Sequence, residues 1–378
     1  MTLTHFTRKR RVNLQMPVTL AGTTVQPEPS IKVLGVLLDT QLKWGAQEQA
    51  VWKKMGNQML ALQRTTTSTW GATMPKARQV YQAVVHPAIA HGAPAWHQPT
   101  KPKDKKRGLA RKLQDVQEQG LQTVLGAFKA TPLRRLEMEA YVPPLDLWLN
   151  GRLAKYQARL ESMGIGAIIQ AACSMVRNRF QNHLGICRTM RGATPGQKRK
   201  VWTAKWIGKP VEQWDWREKP LVEWDWTERW WAAGDLQENR LLRPGTDPGG
   251  HNLVWDNTAP TKKVLQLHSG LQKAESTLLV QARTGKIGLG KFLHDCRVPG
   301  FETGQCQCGP AFETPRHMVM YCKEEADRGL LTGPTGTKWS YPQLIGHSRA
   351  VKGFVRWMMY SGRLSQFELA KRLLYDSK

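Results

Sequence analysis

Near its C-terminal end the chain reads CQCGPAFETPRHMVMYC, which sets Cys306, Cys308, His317 and Cys322 close together. The spacing is Cys-x-Cys, eight residues to His, then four to the last Cys. Zinc takes four N or S donors in a tetrahedron, and structural sites of three Cys and one His are common. A stretch whose four side chains must converge on one point has few conformations open to it. Gly309-Pro310 turns the chain back after the first pair. Pro315 opens a short helix that sets His317 and Cys322 on neighbouring turns. The alternative is a set of ordinary buried thiols. Only six Cys occur in the chain, and four lie between Cys296 and Cys322, a density that random placement rarely gives. A disulfide framework does not suit a long chain without a secretory signal. The expectation is one structural zinc, although Cys-x-Cys is a tighter step than the usual Cys-x-x-Cys.

The rest of the composition points the same way. The 378 residues suffice for two or three domains. Lys and Arg number 56 against 29 Asp and Glu, a formal charge of +27. Such a field attracts phosphate backbones and gives salt-dependent, sequence-independent binding. Two stretches concentrate it. The first, 101–112, holds Lys101, Lys103, Lys105, Lys106, Arg107, Arg111 and Lys112. The second, 282–297, holds Arg283, Lys286, Lys291 and Arg297 beside the Cys/His cluster. Both are candidate phosphate contacts, and the first reads equally well as a solvated helix start. No apolar run approaches a membrane span, and MTLTHFTRKRRVNL carries charge where a signal peptide needs an apolar core. The expected partners are RNA or DNA, with no membrane and no small-molecule substrate. The expected location is intracellular, cytosolic or nuclear, and not secreted.

Periodicity predicts a mainly α protein with a small β-rich N-terminal segment. Val12, Leu14 and Met16 alternate with polar residues, VTLAGTTVQP reads as strand and turn, and IKVLGVLLD as one buried strand around Gly35. From Leu42 the period changes. Val51, Met55, Met59 and Leu62 recur at helical spacing. Pro75 opens the next helix, which carries Val80, Val84 and Val85 and ends near Pro87. Leu113, Val116, Leu121, Val124 and Leu125 mark another, and a further helix follows Pro143-Pro144. Residues 188–260 are irregular and rich in Trp, Pro and Gly, a linker by composition. Eight of the 16 Trp cluster between 202 and 231: Trp202, Trp206, Trp214, Trp216, Trp224, Trp226, Trp230 and Trp231. Basic neighbours would let them stack on single-stranded bases. Asp215 and Asp225 sit between Trp pairs and favour a role stapling a small core. TLLVQARTGKIGLGKFLHDCRVPG reads as a basic amphipathic helix and turn, with Leu278, Leu279, Leu289 and Phe292 on its apolar face. The tail from Val351 to Leu374 is again helical, with Phe354, Val355, Met358 and Met359 apolar.

Four segments, taken in order, resemble a known family: HFTRKRRVNLQMPVTLAG, IKVLGVLLDTQLKWG, STWGATMPKARQVYQAVVHPAIAHGAPAWH, and ESTLLVQARTGKIGLGKFLHDCRVPGF followed by the Cys/His cluster. Together they look like the C-terminal half of reverse transcriptases of LINE-type (non-LTR) retrotransposons, as found in filamentous fungi. The resemblance covers 5–160 and 262–325; the middle and the tail match poorly. It implies a palm remnant over 1–41, with IKVLGVLLD as the last palm strand, and a helical thumb-like domain over 42–187. The linker at 188–260 comes next, then a basic helix with a CCHC zinc module over 261–330 and a helical tail over 331–378. On this reading the chain is a truncated part of an RNA-directed DNA polymerase.

The family's polymerase holds catalytic magnesium with an Asp and a Tyr-x-Asp-Asp turn. No Asp-Asp pair occurs in this chain, so magnesium is expected for the parent polymerase only, and no catalytic residue is assigned. Asp39 ends an apolar strand and reads as a turn residue. Asp215, Asp225, Asp235, Asp247 and Asp256 are scattered through irregular sequence. His86, His91 and His97 read as packing or capping residues, and GKIGLGK lacks the Walker spacing and reads as a turn. Two alternatives stay open. One is a ribonuclease H-type enzyme, which needs five mixed strands between 150 and 260. The other is a zinc-dependent interaction protein coopted from the element.

Overall fold

The computed structural model describes residues 2–7, 12–97, 108–162, 168, 261–325, 331–332, 336 and 338–376. It is mainly helical, with a small β segment at the N-terminal end. That segment is two antiparallel hairpins. Strand β1 (Val18–Leu20) pairs with β2 (Thr23–Val25), Thr19 opposite Thr24. Strand β3 (Ser30–Val33) pairs with β4 (Val36–Asp39), Ile31 opposite Leu38. Both turns place two residues at positive φ, Ala21-Gly22 at 49° and 81° and Leu34-Gly35 at 49° and 84°, the handedness that suits strand twist. Gly35 is also required sterically: a Cβ there would lie 2.7 Å from His91 Nε2. IKVLGVLLD is therefore a hairpin and not one buried strand. Its turn leaves Leu34 95% exposed, and only Val36 is buried. Val12–Met16 forms no strand either.

Asp39 ends β4 and ties down the chain just beyond it. Its carboxylate accepts from the amides of Gln41 (3.1 Å), Lys43 (2.8 Å) and Gly45 (2.9 Å). Three amides on one carboxylate hold the loop that starts helix α1 (Gly45–Thr65), with Leu42 and Trp44 at φ 53° and 67°. This is the turn role expected for Asp39. On α1 the predicted face Val51, Met55, Met59 and Leu62 is buried. Helix α2 (Met74–Val80) starts at Pro75 and continues through a π-helical turn, Tyr81–Val85, into α3 (His86–Ile89). The helix thus passes Pro87 instead of ending there, because the wider turn absorbs a residue that has no N–H to give. The buried face is Met74, Ala77, Tyr81, Val85 and Ile89, while Val80 and Val84 are exposed.

The chain divides into two compact units, Met1–Met59 with Val84–Gln117 and Leu145–Glu228, and Leu60–Ala83 with Glu118–Pro144 and Arg229–Lys378. In the first, α4 (Ala93–Trp96) and α5 (Gly108–Lys112) pack on α8 (Leu145–Ser162). The expected packing histidines are here. His86 meets Gln117 at 3.3 Å, and His97 meets Asn150 at 2.8 Å. Burial lowers the His97 pKa against the Asn150 hydrogen bond.

The second unit holds most of α6 (Gln114–Leu125), α7 (Leu133–Ala140), α9 (Lys263–Gln266) and α10 (Lys273–Thr284). It continues with α11 (Gly290–Asp295), α12 (Pro315–Met320), α13 (Tyr341–Gly346), α14 (Ser348–Tyr360) and α15 (Glu368–Lys371). Helix α10 is its centre, packed against α2, α13 and α14. Apart from Glu275, every α10 residue is buried, so it is not the amphipathic surface helix predicted. Gly285 at φ 70° ends it, and Leu289 and Phe292 belong to the next element. Its polar residues are used inside. Lys273, Thr277 and Gln281 form one stripe that donates to the carbonyls of Val124 (2.6 Å), Leu125 (3.2 Å) and Gly126 (3.1 Å). These are carbonyls that the end of α6 leaves without helical partners. Gly126 must be glycine: φ is 69°, and a Cβ would meet Thr277 Oγ1 at 2.2 Å. Burial pushes the Lys273 ammonium down to about 7. Among the described residues no helix is long and apolar enough to cross a membrane.

Candidate metal centre

The Cys/His loop is built by a short ladder and a capped helix. Gln305 bridges Phe312, and the Cys306 amide donates to the Ala311 carbonyl at 2.7 Å. The Gly309 amide donates to the Cys306 carbonyl at 3.1 Å, closing a turn centred on Gln307-Cys308, just ahead of the Gly309-Pro310 step where the sequence predicts one. Thr314 caps α12 by accepting from the His317 amide at 3.1 Å. Cys322 lies just beyond α12, its amide on the His317 carbonyl at 2.8 Å. One turn of helix therefore carries His317 and Cys322 back to the first pair.

The four donor atoms of Cys306, Cys308, His317 and Cys322 all lie within 4.8 Å of one another. The Cys306 and Cys322 sulfurs are 3.6 Å apart, and Cys308 Sγ is 3.1 Å from His317 Nε2. Tetrahedral zinc needs about 3.8 Å between two sulfurs and about 3.6 Å between sulfur and nitrogen, from bonds of about 2.3 and 2.0–2.1 Å. The site fits after small shifts of the four donors, the close pairs opening and any wider pair closing. The three cysteines are free thiols, two of them buried. Burial, with added contributions from Cys322 and Cys308, pushes the Cys306 thiol up to about 12. Desolvation also opposes ionisation of Cys308, but hydrogen bonds from its sulfur neighbours and backbone amides bring it below its usual value. Ionising the buried Cys306 thiol is costly, and a cation held among the sulfurs would offset that cost.

Residues outside the motif brace it. Glu313 Oε2 accepts from the Gly290 amide at 2.7 Å, so a carboxylate already fills the start of α11 and GKIGLGK holds no phosphate there. Arg363, well past the motif, donates to Glu325 at 3.2 Å and to Gln307 at 3.1 Å, and pairs with Glu313 at 3.5 Å. Burial lowers its pKa, but Glu325, Glu313 and Cys306 outweigh this and hold it above the ordinary value. Its charge favours thiolate at Cys306. Nothing in sequence spacing marks Arg363, because the contact is tertiary.

The candidate phosphate contacts fare unequally. Arg283 is not at a surface. Its side chain is 3% exposed, its Nε donates to both Glu139 oxygens at 2.9 and 3.1 Å, and Nη1 donates to the Ile345 carbonyl. It is a structural ion pair. Burial raises the Glu139 pKa, and Arg283 counters it. Lys112 pairs with Glu48 at 2.5 Å and Lys291 with Asp295 at 2.6 Å. Lys286 Nζ lies over the Phe292 ring at 5.7 Å. Arg111 and Arg297 are exposed. Lys101, Lys103, Lys105, Lys106 and Arg107 lie outside the described residues, as do the eight clustered Trp and Asp215, Asp225, Asp235, Asp247 and Asp256. The strands required by the ribonuclease H alternative would also fall there, beyond Ser162. A residue missed in the sequence is His268, buried with neither ring nitrogen hydrogen-bonded.

Comparison with protein-family models, curated proteins and solved structures gives no match.

Proposed function

We propose that this chain is a nucleic-acid-binding protein organised around a structural zinc, corresponding to the thumb and C-terminal zinc region of a LINE-type reverse transcriptase. The observation that carries it is the convergence of three sulfurs and one imidazole nitrogen within 4.8 Å, in a chain of net charge +27. Cys306, Cys308, His317 and Cys322 would hold the ion, which supplies charge neutralisation and a cross-link between the ladder and α12. Arg297 and Lys286 lie next to this loop in sequence and offer cationic contacts to phosphate. Two-metal polymerisation needs clustered carboxylates, and the sequence has no Asp-Asp pair, so polymerisation is assigned to a parent enzyme and not to these residues.

Metal analysis of the purified chain is the first test. One equivalent of zinc is expected, and less than about half an equivalent contradicts a single tetrahedral site. Duplex binding should weaken by about 0.9 log units per phosphate contact for each log unit of salt. Primer extension on an RNA template with magnesium should give no product. Extension abolished by an Asp substitution in this chain would overturn the assignment.

A further inference from the structure

Lys352 and Arg356 stand one turn apart on α14, both exposed. They line an open cleft of about 530 Å³ together with Gly270, Gln272, Glu275 and Tyr375. Among the described residues neither cation has an ion pair or a side-chain hydrogen bond. The carboxylate of Glu275 is committed: Oε2 accepts from the Gln272 amide at 2.6 Å and Oε1 from the Tyr375 hydroxyl at 2.5 Å. Asp376 accepts from the Tyr360 hydroxyl at 3.3 Å and does not line the cleft.

Arg356 is held against two aromatic rings. Its guanidinium carbon lies 5.7 Å from the centre of the Tyr360 ring and 5.3 Å from that of Tyr375. Those rings stack on each other at 5.6 Å and 27°. Cation–π contact restrains a guanidinium while leaving N–H donors for an anion. Lys352 Nζ lies 3.4 Å from where a Cβ on Gly270 would sit, so glycine keeps the wall low beside the ammonium. A guanidinium fork beside an ammonium matches a phosphate. Tyr360, 43% exposed, presents an aromatic surface next to them, and bases stack on such rings regardless of sequence.

We propose that Lys352, Arg356 and Tyr360 bind a segment of single-stranded nucleic acid, a phosphate on the two cations and a base on the Tyr360 ring. The ligand class is the one proposed above, but the residues are separate from the Cys/His loop and do not depend on its metal.

The test uses the full chain and an oligothymidylate carrying 5-bromodeoxyuridine, with photo-adducts mapped by mass spectrometry. An adduct on the peptide containing Tyr360 is expected. In the exposed double variant Lys352→Gln/Arg356→Gln that adduct should disappear. The salt slope of binding should flatten by about 0.7, the value for the one single-strand phosphate that the two cations hold. Arg356→Lys should keep the slope and weaken binding at least threefold. Adducts only elsewhere, or an unchanged slope in the double variant, overturn this site while leaving nucleic-acid binding intact. No adduct and no binding at all would overturn both.

Discussion

Helix α10 and the Cys/His loop lie close together in the chain, in the same compact unit, and are built in opposite ways. In α10 the polar side chains are spent inward: Lys273, Thr277 and Gln281 close the end of α6, and Arg283 neutralises Glu139. In the loop they converge on one point, and two of the four, Cys308 and His317, stay half-exposed. The first region is held by contacts from distant parts of the chain. The second is held mainly by a local ladder and a capped turn, with one distant brace from Arg363 and, on the proposed reading, an ion. Positive charge means stability in one and, at Arg297 or Lys286, availability in the other.

The largest test of that contrast is Arg283→Met. Breaking a buried ion pair from one side costs about 3–5 kcal/mol, so the variant should melt far below the parent. The double variant Arg283→Met/Glu139→Gln should recover part of the loss. If Arg283→Met instead lowered nucleic-acid affinity at an unchanged melting temperature, the contrast would collapse.

Arg363→Gln probes the bracing of the loop. Support of this kind around metal ligands is worth about 10–100-fold in affinity. Zinc competition with a chromophoric chelator should show a loss in that range. Hydrogen exchange should rise over 304–322 and stay low over 273–284. Equal exchange in both segments would mean that the two regions unfold as one.

His268 tests the interior. Burial and the fields of Arg283 and Lys273 push its pKa down to about 3. The unfolded chain takes up a proton near pH 6.5 and the folded chain does not, so acid favours unfolding. From pH 7 to pH 5 the loss should be about 2 kcal/mol. His268→Phe should remove it, read as a smaller fall in denaturant midpoint between those pH values. An unchanged fall would place the acid sensitivity elsewhere, with the thiolates as the next candidates.

The smallest effect belongs to the exposed cations. Arg297→Gln should leave stability alone and flatten the salt slope on duplex DNA by about 0.9. No change in slope would remove Arg297 from the contact surface.

The sequence by itself determined the Cys/His convergence, because four donors at short spacing can meet through one turn and one helix. It determined the helical character of most segments, the face Val51, Met55, Met59 and Leu62, and the turn role of Asp39, since periodicity and local hydrogen bonding act within a few residues. It did not determine which side of a helix faces in when the polar residues have distant partners. Arg283 reads as a surface charge until Glu139 and Ile345 are placed beside it. IKVLGVLLD reads as a buried strand until Leu34-Gly35 turns it and His91 lies against the glycine. Arg363 and His268 carry no local signal at all. Burial is a property of what arrives from elsewhere in the chain, and only the tertiary structure brings those groups together.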